Sequence, residues 1–107
     1  MIRLVFPLRR LPTLSREEFQ DYWLNRHAQL VAGLANDLNI LRYVQTHTLD
    51  VADNSAVQAA RGDMEPEYDG VAELWWADEK ELASQSSDAA REAGAALLED
   101  EKKFIDL

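Results

Sequence analysis

Two side chains in this chain can exchange a proton near neutral pH without help, His27 and His47. His27 sits in Phe19-Gln20-Asp21-Tyr22-Trp23-Leu24-Asn25-Arg26-His27-Ala28, one helical turn after the indole of Trp23. A histidine on an apolar helix face costs stability unless it finds a partner or a task. It is read in two ways. In one it lines a pocket as a general acid or base. In the other it is a structural histidine, bonded to a carbonyl or carboxylate under a sheet. His47 follows Tyr43 and Gln45 at alternating positions, which puts all three on one side of an extended segment. If they converge with His27, they make a polar cluster in an aromatic pocket, suited to a small planar or apolar ligand. If not, they are a polar stripe on an interface. Tyr68 and Trp75 complete the candidate pocket, with Trp23. Trp23, Trp75 and Trp76 are also simply explained as core. Glu73 lies between apolar residues, where it either orients a histidine or pairs with Arg3 or Arg42 across a sheet.

Other chemistries find little support. There is no cysteine, so thiolate metal sites and disulfides are excluded. Two histidines and scattered carboxylates lack metal-ligand spacing, so no metal is expected. No glycine-rich phosphate loop is present, and no cofactor is expected. No nucleophile motif supports a Ser-His-Asp triad. The net charge of −9 is uneven. Residues 1–49 carry a net +2 and residues 50–107 a net −11. Such a chain is a poor ligand for polyanions, so nucleic acid and anionic membranes are unpromising partners. No apolar run spans a bilayer and the first residues do not read as a signal peptide, which fits a cytoplasmic protein.

The elements that position these residues follow from period and capping. Ile2–Leu8 alternates as a strand, with Ile2, Leu4, Phe6 and Leu8 on one face. Ser15-Arg16-Glu17-Glu18 is a capping box, and the helix it opens should run to about Gly33–Leu38. Residues 40–48 form a second strand. Residues 50–68 are a long connection in which Asp53-Asn54-Ser55 can start a short helix ending near Gly62. Asp63–Glu67 is irregular and acidic. Residues 69–76 form a third strand. Asp78-Glu79-Lys80-Glu81 caps a helix that breaks at Ser86-Ser87 and resumes over Ala89–Glu99.

The 107 residues make a single domain, 1–107, of α+β class. The order β-α-β-(insert)-β-α gives a split βαβ arrangement with an antiparallel sheet and both helices on one face. A fourth strand is missing or reduced to Phe104–Leu107. Either the chain is cut short or a partner covers the first strand's edge. The other sheet face keeps apolar residues, which predicts a face-to-face homodimer.

Several segments together resemble a known family. They are Ile2-Arg3-Leu4-Val5, Leu14-Ser15-Arg16-Glu17-Glu18-Phe19, Tyr22-Trp23 with His27-Ala28 and Leu30-Val31, and Arg42-Tyr43-Val44-Gln45-Thr46-His47. Tyr68-Asp69-Gly70-Val71-Ala72-Glu73-Leu74-Trp75 and Phe104-Ile105-Asp106 close the set. The chain resembles EthD-domain proteins of the dimeric α+β barrel superfamily. The resemblance implies a ferredoxin-like monomer and a homodimer. The family takes its name from an ether-degradation gene cluster that includes a haem monooxygenase system, and related members resemble dehydratases or decarboxylases of aromatic polyketides. The departure is the absent last strand, which in the family follows the Phe-Ile-Asp segment. The expected function is binding of a small apolar or aromatic metabolite. It would come with cofactor-independent proton transfer at His27, or with support of an oxygenase. Trp23, Tyr43, His47, Tyr68 and Trp75 would contact the ligand. The alternative is a non-catalytic ligand-binding or scaffold homodimer.

Overall fold

A computed structural model describes residues 1–62 and 64–107. Three antiparallel strands form one open sheet: β1 (Ile2–Leu8), β2 (Arg42–His47) and β3 (Gly70–Trp76), in the order β1-β3-β2. The alternation read from the sequence sets which side chains share a face. Ile2, Leu4, Phe6 and Leu8 stand opposite Trp76, Leu74, Ala72 and Gly70. Tyr43, Gln45 and His47 join them through Leu74, Ala72 and Gly70. That face is covered. Leu8 and Ala72 pack with Phe19, Trp23, Phe104 and Ile105. Farther along, Trp76 packs with Leu38, Ile40, Ala90 and Ala93. Leu74 touches both clusters, so the core is continuous along the sheet.

Helix α1 (Arg16–Tyr22) opens on the expected capping box, Ser15 accepting from the Glu18 amide and Glu18 returning the bond. The helix is not uniform, however. A π-helical turn spans Trp23–His27 before α2 (Ala28–Leu34) resumes α geometry. At this turn the Gln45 side-chain amide donates to the Trp23 carbonyl at 2.8 Å, and the Ala28 N–H reaches back to the same carbonyl. A side chain that competes for a helix carbonyl in this way is a known cause of local widening.

The long connection contains α3 (Asp53–Ala60), as Asp53-Asn54-Ser55 suggests. Of the expected irregular stretch, Met64–Glu67 has no regular structure and Asp63 lies outside the described residues. Short α4 (Glu79–Ala83) and longer α5 (Asp88–Glu101) are separated where Ser86-Ser87 predicts, each capped by its own Asp78 or Ser87 side chain. The fourth strand is reduced to one antiparallel bridge, Arg10 with Ile105, flanked by Leu11 N–H to Phe104 O and Asp106 N–H to Arg9 O. Among the described residues no helix is long and apolar enough to cross a membrane.

Candidate functional site

The π turn decides where Trp23 and His27 point. Trp23 is 1% exposed, and its ring fills the space above Gly70. A Cβ at residue 70 would stand 2.3 Å from the Trp23 ring, so only glycine lets the indole lie on β3. The indole N–H donates to the Tyr43 hydroxyl at 3.1 Å. His27, 5% exposed, follows on the same side of the turn and packs its ring against Phe104 at 4.9 Å.

The polar partner of His27 comes from α5. Nδ1 of His27 lies 2.8 Å from Asp100 Oδ2, and the Tyr22 hydroxyl donates to Asp100 Oδ1 at 2.5 Å. Burial acts to raise the Asp100 pKa. Hydrogen bonds from Tyr22 and His27 outweigh it and hold the carboxyl below its usual value. Burial first, and the Asp100 hydrogen bond next, push the Tyr22 phenol up to about 12. An ionised Asp100 accepts only, so Nδ1 of His27 donates to it, and in the neutral ring Nε2 is then the nitrogen with the lone pair. Nε2 has no hydrogen bond among the described residues, and it is not sealed off, since no partnerless buried polar atom remains.

Beside it is a cavity of about 50 Å³. Its walls are apolar, from β1 (Phe6, Leu8), β3 (Ala72, Leu74) and the helices (Trp23, Val31). Its polar groups are His27, Tyr43 and Glu101. Glu101 is half-buried and its pKa is raised, by burial first and by the Asp100 charge second, against an opposing effect of His27. A base backed by a carboxylate, in a mostly apolar pocket with a second carboxylate, is suited to moving protons on a bound molecule.

His27, Trp23 and Tyr43 line this cavity together. His47 is linked to them but does not line this cavity. Its ring stacks on Trp23 at 4.6 Å, and Nε2 donates to Gln45 Oε1 at 2.8 Å. It faces an open groove of about 360 Å³ with Leu24, Ala28, Tyr43 and Gln45. Desolvation lowers its pKa, so it stays neutral at neutral pH. Tyr68 is elsewhere, half exposed under the Arg9 guanidinium at 4.2 Å. Trp75 is on the other face of the sheet, between the guanidinium groups of Arg42 at 4.8 Å and Arg3 at 5.8 Å. Glu73 pairs with Arg3 at 3.7 Å. Asp100 and Glu101 are the residues that reading the sequence alone does not pick out. Their only signal is a pair of carboxylates at the end of an alanine-rich helix, which reads as a solvated run. Among the described residues no three histidine or carboxylate side chains gather where a metal could be held.

No curated protein matches the chain. A family model, that of the EthD domain, matches residues 11–107, a span that takes in the helix of Trp23 and His27, all of β2 and β3, and the Asp100–Glu101 end of α5. The chain therefore belongs to the EthD domain family.

Proposed function

We propose that this protein binds a small, largely apolar or aromatic metabolite under the helix-covered face of its sheet and moves a proton on it with His27. The observation that carries the reading is the free Nε2 of a buried His27 whose Nδ1 is held by Asp100 at 2.8 Å. The reactions that fit are dehydration, isomerisation and decarboxylation. In a dehydration, Nε2 takes the proton next to a carbonyl, the C–O bond of the β-hydroxyl breaks, and the hydroxyl leaves as water with a proton handed back from the site. Atoms and electrons balance without a co-reactant. Support of an oxygenase rests on the family resemblance alone.

The wider reading is a ferredoxin-like monomer that pairs face to face with a second copy. The strand order β1-β3-β2, with β3 between the strands joined by the first helix, supports the monomer. The uncovered sheet face supports the pair.

The test is His27→Ala, assayed for turnover of small hydroxycarbonyl compounds. Turnover should fall by roughly 10²–10⁴-fold while the circular dichroism spectrum is kept. Unchanged turnover would sink the proposal. One observation favours a second reading, a non-catalytic binding or scaffold homodimer: 50 Å³ seats the reacting end of a ligand, not a whole ring. On that reading His27→Ala lowers the melting temperature, and no substrate is turned over by the native protein.

A further inference from the structure

The polar groups around the cavity define what it can hold. Glu101 lines the cavity and its carboxylate makes no hydrogen bond or ion pair among the described residues. His27 Nε2 is also an acceptor in the neutral ring, since Nδ1 donates to Asp100. Tyr43 has the opposite role, and the hydrogen bonds around it fix that. Its oxygen accepts from Trp23 Nε1 at 3.1 Å and from Gln45 Nε2 at 2.8 Å. The second proton of the Gln45 amide is taken by the Trp23 carbonyl, and Gln45 Oε1 accepts from His47. Both bonds at the Tyr43 oxygen are accepted ones, so the phenol's own proton is left to donate. Burial keeps that phenol protonated.

The cavity therefore offers two acceptors, His27 Nε2 and the Glu101 carboxylate, and one donor, the Tyr43 hydroxyl. No lysine or arginine lines it. The cations adjacent in sequence to its lining are placed elsewhere: Arg9 lies over Tyr68, Arg42 over Trp75 on the opposite sheet face, Lys102 pairs with Glu99, and Arg26 is exposed. An anionic head placed here would face Glu101 with no lysine or arginine in the lining to offset it, while the charge of Asp100 behind His27 is shared with Lys103 at 3.6 Å.

Resting on the reading of the cavity as a ligand site, we propose that Glu101 is its specificity-determining residue: the site takes a ligand whose polar head donates a hydrogen bond and bears no negative charge, such as a hydroxyl or amide, and rejects carboxylates. Dehydration and isomerisation of uncharged substrates remain; decarboxylation, which needs a carboxylate bound beside Glu101, does not.

Propionamide and propionate form a matched probe pair of nearly equal shape. Each is titrated at pH 7 into the native protein while the Trp23 indole N–H and the His27 ring signals are followed by NMR. Propionamide should shift both saturably, and propionate should bind at least ten-fold more weakly. Glu101→Gln keeps size and loses charge, and no partner is stranded by it. It should admit propionate to within about three-fold of propionamide. If the native protein takes both probes equally, or if Glu101→Gln still refuses propionate while binding propionamide, Glu101 is not the selector, although the cavity still binds. If neither probe moves the His27 and Trp23 signals, the cavity is not a ligand site, and both readings fall.

Discussion

At the scale of single residues, the central pair is His27 and Asp100, and its geometry makes a prediction that needs no substrate. The Asp100 carboxylate can only accept, so it fixes the Nδ1–H form of His27 across their 2.8 Å contact. Asp100→Asn keeps an oxygen for the Tyr22 hydroxyl but turns an N–H₂ toward Nδ1. The imidazole should then reverse its tautomer, with the proton on Nε2. Ring nitrogen chemical shifts read this directly. Stability should change by no more than about 1 kcal/mol, because hydrogen bonds are exchanged rather than lost. On the proposed function, turnover falls with the base, by roughly 10²-fold or more. An unchanged tautomer would show that Asp100 does not direct the ring. Half of this pair is legible in the sequence. His27 stands out because histidine is rare here and its neighbours repeat at helical spacing. Asp100 does not, because Glu99, Asp100 and Glu101 look alike until the fold turns one outward, one to His27 and one to the cavity.

Among the elements, strand boundaries and helix caps are legible to within a residue or two, since alternation and capping residues are local properties. The π turn is not. It depends on Gln45, 22 residues beyond Trp23, competing for the Trp23 carbonyl. A tertiary contact thus sets the local helix form, and with it the alignment of Trp23 and His27 that α spacing only approximates. The placement of Trp75 shows the same limit: alternation puts Trp75 and Tyr43 on opposite faces once β2 and β3 are in register, and register is a long-range property. Gly70 is the point where helix and sheet fit most closely. In Gly70→Ala the added methyl would meet the Trp23 ring at 2.3 and 2.7 Å and the Thr46 carbonyl at 3.0 Å. The indole must lift off β3, straining its bond to Tyr43 and its stack on His47. A loss of about 3 kcal/mol in urea unfolding is expected, at the upper end for overpacking. The near-ultraviolet signal of Trp23 should change with it. A neutral substitution would mean that the indole does not rest on the strand.

For the whole molecule, two arrangements matter: what ties the far end of the sheet together, and what covers its open face. Asp69 does the first. It is 4% exposed and accepts from the Arg10 amide at 2.8 Å and from the Arg16 and Arg10 guanidinium groups at 2.9 and 2.5 Å, joining β1, α1 and β3. Burial alone would raise its pKa; the hydrogen bonds and charge of Arg10 and Arg16 carry it below 3.8. A carboxyl depressed on folding contributes fully above its unfolded value and loses that contribution as pH falls through the folded one. The urea midpoint should thus drop below about pH 4. In Asp69→Asn that acid limb should flatten and stability at pH 7 fall by about 3 kcal/mol. The open face is built in rows across the three strands: Pro7-Val71-Thr46, Val5-Glu73-Val44 and Arg3-Trp75-Arg42. Val5 is 49% exposed, and neither apolar cluster of the core includes any of the nine. A sheet with one helix-packed face and one valine-lined outer face is the form two copies can close by stacking, with Trp75 and its flanking arginines at one end of the contact. The proposed dimer should sediment at twice 12.2 kDa. Val44→Lys puts a charge in the middle row without touching the helix-covered face. It should weaken association by about 30-fold or more, equivalent to ~2 kcal/mol, and leave the monomer folded. If Val44→Lys sediments as the native protein does, the pairing surface is elsewhere, and the open β1 edge beside Leu4 and Val5 is the next place to test.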